Sequence, residues 1–177
     1  MTNHKKVDVD KEKLMEKVYN RGYELEQRYD GCAQCTVAAL QDYFPVNSAL
    51  VKAATSFSGG IASTIKGPCG AFTGGVMVLS FFLGRSREEF SDISLLRRPG
   101  PVVRAFWEQF EKAYGGYSCS EVQHHLFGTA YRFLDSEEHR QYEEAGGLKD
   151  KCPSVVGQSA AWVAELLIES KVPILKK

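Results

Sequence analysis

The residues of this chain best suited to chemistry are its cysteines, at positions 32, 35, 69, 119 and 152. A cysteine thiolate attacks disulfides and ligates soft metals, so the arrangement of the five decides which chemistry is open. Cys32-Ala-Gln-Cys35 has the C-x-x-C spacing that lets two thiols meet across one helical turn. That spacing suits a dithiol redox pair, or half of a tetrathiolate metal site. A zinc ribbon would need a second C-x-x-C, and a thioredoxin-like site would need a preceding strand in an α/β pattern; the chain offers neither. The stretch Cys69-Gly70-Ala71-Phe72-Thr73-Gly74-Gly75 is more distinctive. Its glycines strip one helix face of side chains, so that a cofactor or another backbone can come close. Gly70 and Gly74 are therefore candidate cofactor contacts, with close helix packing as the equal alternative. No Lys-Ser/Thr follows the glycines, which excludes a phosphate-binding P-loop.

The elements that must position these thiols read as helices. Apolar spacing predicts helices over residues 10–29, 32–43 and 48–54, the first weakened at Gly22 and the second ended by Pro45. Residues 58–68, rich in glycine, form a loop; residues 69–83, apolar almost all round, form a buried helix. A short helical piece falls within residues 85–99. Further helices are expected over 102–114, from Ser118 or Ser120 to His125, near 136–145, and over 153–170. Strand-like alternation is missing over any convincing length. The expected fold is all-α, a single-domain bundle of about five to seven helices spanning residues 11–177, with a frayed polar tail at 1–10. In this reading Cys32, Cys69, Cys119 and Cys152 each stand at or near a helix start. The unpaired N–H groups and dipole there stabilise thiolate and lower its pKa.

Composition sets the surroundings. The 177 residues can bury a full core without a disulfide or metal to staple it. Lys+Arg and Asp+Glu number 22 each, for a net charge of zero, so no overall field draws nucleic acid or an anionic membrane surface. The charged N-terminal thirty residues lack the apolar core of a secretory signal, and the apolar run 74–83 is too short to span a bilayer. The expected location is the cytoplasm, where thiols stay reduced and cysteines point to metal binding, catalysis or plain burial.

Taken in order, Gly31-Cys32-Ala33-Gln34, Gly59-Gly60-Ile61, Cys69-Gly70-Ala71-Phe72-Thr73-Gly74, Ser118-Cys119 and Cys152 resemble the C-GCAxxG-C-C family. That family is named for its cysteines and described as redox-active; the resemblance covers roughly residues 14–170. It implies a redox or electron-transfer role beside oxidoreductases or transporters, with an iron–sulfur cluster or other thiolate-bound metal. Carried onto this chain, its four cysteines are Cys32, Cys69, Cys119 and Cys152, the implied ligand set. Cys35 stands outside it, as a resolving thiol for Cys32, a fifth ligand or a small core residue.

Other groups add little. His124 and His125 point in different directions on one helix, so at most one could join a site at Cys119. His4 and His139 read as solvated. Carboxylate pairs, nucleophile elbows and dinucleotide fingerprints are missing, which removes hydrolases and nucleotide enzymes. Three readings stay open. The first is an electron-transfer protein, possible oxidoreductase or accessory, with a cysteine-ligated centre. The second is a cofactor-free thiol–disulfide protein using Cys32 with Cys35 or Cys69. The third is a helical adaptor on a partner oxidoreductase, its cysteines structural. Homo-oligomerisation is compatible with each.

Overall fold

A computed structural model describes residues 3–175, with side chains from Lys11 onward. Residues 1 and 2 of the expected tail, and the side chains of the rest of it, lie outside the described residues. The fold is all-α, and the described residues contain eight helices. These are α1 (Asn3–Tyr29), α2 (Cys32–Gln41), α3 (Ser48–Ala53), α4 (Gly70–Leu83), α5 (Gly100–Tyr114), α6 (Cys119–Phe127), α7 (Ser136–Glu144) and α8 (Cys152–Glu169). The count is one above the expected five to seven, and each of the eight falls where the sequence places a helix; the short α3 and α7 carry their own caps. The Asn47 side chain accepts from the Ala49 N–H, and that of Asp135 accepts from Glu137 and Glu138. Such caps satisfy N–H groups that would otherwise leave a helix of six or nine residues frayed. Residues 85–99 hold two short 3-10 turns, Arg87–Glu89 and Ile93–Arg97. The described residues form no strand, only a lone antiparallel bridge between Pro68 and Ser118.

Helices α1, α2, α4 and α8 make the centre of the bundle. α8 is its spine: ten of its eighteen residues are buried, among them Val156, Ala160, Val163 and Leu167. These meet Val18 of α1, Val37 and Leu40 of α2, and Val78 and Leu79 of α4 in one continuous core. Aromatic side chains close its far end, where Phe72 lies 5.4 Å from Phe106 and 5.2 Å from Phe110, ring centre to ring centre.

α1 runs unbroken through Gly22, where propensity alone suggests a weak point. The glycine is there for a neighbour: a Cβ on Gly22 would stand 3.1 Å from the Gly157 Cα of α8. A Cβ on Gly157 would stand 2.7 Å from the Tyr19 carbonyl oxygen. The two glycines let α1 and α8 cross almost backbone to backbone, and the packing gained outweighs the roughly 1 kcal/mol of lost helix propensity. Gly157→Ala therefore destabilises the fold by about 1–2 kcal/mol in urea unfolding, because overpacking exceeds the propensity it restores. Gly157→Val costs more. A Gly157→Ala protein more stable than the parent would show that the crossing is loose.

Candidate functional site: a cysteine-lined cavity

The helix starts carry the cysteines as the spacing predicts. Cys32, Cys119 and Cys152 are the first residues of α2, α6 and α8, and Cys69 is the N-cap of α4. All four line a single cavity of about 360 Å³. Cys69 and Cys119 are buried, while Cys32 and Cys152 are half-buried.

Glycines elsewhere in the chain make room for this convergence. A Cβ on Gly70 would fall 2.2 Å from the Cys32 sulfur, so only glycine at the start of α4 lets that sulfur sit against it. Gly74, one turn later, would meet the Ala33 carbonyl oxygen at 2.7 Å if it carried a Cβ. Gly70 and Gly74 thus seat α4 on α2, and neither is among the residues that line the cavity. On the other wall a Cβ on Gly60 would lie 2.8 Å from the Cβ of Cys119.

Gly60 belongs to a left-handed turn, with φ of 61°, 70°, 64°, 50° and 60° at Gly59, Gly60, Ile61, Ala62 and Ser63. The last three pay roughly 1–2 kcal/mol each for a conformation L-residues avoid. Hydrogen bonds hold the turn in place: Ala62 N–H to Ser56 O (2.8 Å), Ile65 N–H to Gly59 O (2.9 Å) and Gly67 N–H to Gly60 O (3.0 Å). The same loop fixes Cys119, whose N–H donates to Gly67 O at 2.9 Å, while Cys69 N–H donates to Tyr117 O, just ahead of α6, at 2.7 Å. Before Cys152 a π-helical turn, Gly147–Lys151, does comparable work. A Cβ on Gly147 would fall 2.2 Å from the Tyr142 ring, so glycine admits that ring to the cavity wall.

The electrostatics of the cavity run against the expectation from helix dipoles. Burial pushes the Cys32 thiol up to about 12, and the Glu26 carboxyl adds to the shift. Burial likewise raises Cys69 and Cys152 well above the ordinary thiol range, and Cys119 to a lesser degree. Withdrawal from water costs a lone thiolate more than a helix N-terminus returns. Charge on one sulfur also penalises charge on the next, and the effect links every pair among the four. No lysine or arginine lines the cavity to offset it.

Each of the four sulfurs nonetheless has a polar hydrogen that favours its thiolate. For Cys32 these come from the Gly59 N–H and the Ser58 side chain, for Cys69 from the Phe72 N–H, and for Cys152 from the Tyr142 hydroxyl. Gln123 Nε2 donates to the Cys119 sulfur at 3.5 Å. Cys35 differs: it is absent from the cavity wall, 5% exposed, and bonded instead to the Glu26 carboxylate, an interaction that raises its pKa after burial has already done so. The four are acceptors and Cys35 is a donor.

Several members of the site escape sequence reading. His139, expected in solvent, lines the cavity beside Phe133 and Tyr142, at 6.0 and 6.1 Å between ring centres. His124 and His125 are both exposed and take no part in it. The buried helper of Cys119 is Gln123, which lies one turn after it and also accepts the Tyr131 N–H at 2.8 Å. Glu26, 2% exposed, lies in what reads as a charged helix face. Among the described residues no three His, Cys, Asp or Glu side chains are grouped as donors to one metal ion.

The raised pKa values give a direct test in reduced, metal-free protein. At about 12 against an ordinary 9.0, Cys32 carries about a thousandfold less thiolate at neutral pH than a free thiol. Alkylation of the folded protein is therefore slow at neutral pH and accelerates as pH rises, whereas denaturant exposes five ordinary thiols. A thiol that reacts rapidly in the folded protein at neutral pH would contradict this.

No curated protein and no solved structure matches the chain. One family profile does, over residues 31–166, a span that takes in all five cysteines and the glycine-rich loop. Its description reads "Putative redox-active protein (C_GCAxxG_C_C)", and the chain belongs to this family.

Proposed function

We propose that the protein is an electron-transfer protein whose Cys32, Cys69, Cys119 and Cys152 hold an iron–sulfur cluster. One observation carries the reading: the four cysteines line one cavity, each sulfur beside a hydrogen that favours its thiolate, with no lysine or arginine in the wall. Thiols so placed gain little from staying unmetallated, because their charged form has partners for its lone pairs but nothing to neutralise its charge. A cationic cluster core supplies that charge and lets all four deprotonate. A cavity of about 360 Å³ has room for a polynuclear centre, which keeps its ligands further apart than a lone Zn²⁺ does. When bound, the cluster accepts and releases single electrons.

The chain's own residues then have separate tasks. The four cysteines ligate, and Ser58, Gly59, Gln123 and Tyr142 tune the sulfurs through hydrogen bonds. The buried apolar wall of Val122, Val155 and Val156 limits water. Cys35 does not ligate, and cofactor-free thiol–disulfide exchange is disfavoured by thiols held so far from their ionised form. An oxidoreductase is the natural partner, and a reducing compartment such as the cytoplasm keeps all five thiols free. No helix among the described residues is long and apolar enough to cross a membrane.

Anaerobically purified protein is expected to be coloured, with iron and acid-labile sulfide in stoichiometric amounts. Cys→Ser at position 32, 69, 119 or 152 should remove most of the iron, and Cys35→Ser should leave it in place. Tyr142→Phe should weaken retention of the cluster by about 10–100-fold, the usual cost of losing a partner outside the ligand set. A folded protein that stays colourless and metal-free after reconstitution with iron and sulfide would refute the cluster.

A further inference from the structure

Glu26 is the buried group that neither the ligand set nor the core accounts for. It sits in the last turn of α1, 2% exposed, and lines the cysteine cavity. The Gly31 N–H and the Cys35 thiol both bond to its carboxyl, and its Oε2 is buried without a partner. Neither Gly31 nor Cys35 belongs to the four-cysteine set. A carboxylate at such a place ordinarily has a cation beside it, and no lysine or arginine lines this cavity. The groups that bear on Glu26 are Asp30 on its own helix, Cys32 and Cys35 on α2, Tyr142 on α7 and Cys152 on α8. All of them are neutral or negative. His139 lines the same cavity from α7.

Resting on the cluster reading, we propose that Glu26 is a redox-linked proton site: it binds a proton when an electron enters the cysteine-lined cavity and releases it when the electron leaves. The balance is simple. A one-electron donor (dithionite in the test) reduces the centre by one electron, one proton from water joins the Glu26 carboxylate, and both depart on reoxidation. Added negative charge in a buried cavity without lysine or arginine calls for a local offset, and the carboxyl with an unpartnered oxygen is the group placed to give it. Desolvation, with Asp30 adding to it, already raises the Glu26 carboxyl to about 8, so a proton is held there with little further charge.

The sign follows from this. While the acid is protonated in both redox states the midpoint potential is flat. Once pH is high enough for the oxidised protein to lose the proton first, the potential falls as pH rises. The slope approaches about 59 mV per pH unit, the value for one electron and one proton.

The test is potentiometry of the iron-loaded protein across neutral and alkaline pH, in the parent, Glu26→Gln and Glu26→Asp. The parent and Glu26→Asp should show the slope, and Glu26→Gln, with equal iron content, should be flat. A flat parent, or a Glu26→Gln protein with the parent's slope, overturns the proposal. A second readout needs no cluster: in metal-free protein, ¹³C NMR of the carboxyl carbons should show one glutamate titrating near 8, absent in Glu26→Gln. If the protein binds no iron, the cluster reading fails on that finding. The redox link then falls with it, and the carboxyl titration decides only whether Glu26 is a buried proton site: an ordinary carboxylate value overturns that as well.

Discussion

The Cys32 sulfur rests where a side chain on Gly70 would have to be, 2.2 Å from the position of its Cβ. Much of the site follows from that contact. It brings the first turn of α2 onto the first turn of α4, so that Cys32 and the N-cap Cys69 face the same space. Gly74 continues the approach along Ala33, and Gly60 repeats it against Cys119. Gly147 serves Cys152 at one remove, through the Tyr142 ring. Adding a methyl group at any of these positions would push backbone or sulfur outward. In a close-packed interior the displacement would spread to the neighbouring ligand.

Thiols gathered by such contacts pay for their burial in ionisation. The wall holds donors for each sulfur and no lysine or arginine. A reactive cysteine needs an electropositive, accessible setting that lowers its pKa. Here burial raises all four, and under the proposed function the hydrogens around them take effect once a metal centre has displaced the thiol protons. Cys35, three residues from Cys32, has the opposite polarity, because it gives its hydrogen to Glu26. The C-x-x-C spacing therefore joins two cysteines of different kinds: one faces the cavity, and the other helps hold a buried acid beside it.

Most of the helical frame was legible because each helix carries its own local signals. Residues 102–114, read as amphipathic and closed by glycine, lie within Gly100–Tyr114, with Gly115 in the left-handed conformation at its end. Ser118 was legible as a cap, and it forms a capping box with Glu121. The cysteines at helix starts were legible in the same way, whereas Cys35 was set apart only by the family resemblance, with its role left open. What sequence could not show was contact between distant segments. Glu26 reads as one more charge on a polar helix until α2, α7 and α8 close over it. His139 and Tyr142 are drawn to the cavity by a π-helical turn that has no sequence signature. Ile61, Ala62 and Ser63 are not residues that announce a left-handed turn, and only their hydrogen bonds to the rest of the loop explain it. The direction of the thiol shifts was also hidden, because a helix start is visible in sequence and depth of burial is not.

Crystals of the anaerobically purified protein, with diffraction collected on both sides of the iron absorption edge, test the central claim most directly. The account predicts an iron anomalous signal inside the cavity, bonded to the sulfurs of Cys32, Cys69, Cys119 and Cys152 and not to that of Cys35. A cavity without iron, with the four cysteines paired as disulfides or left as free thiols, would contradict it.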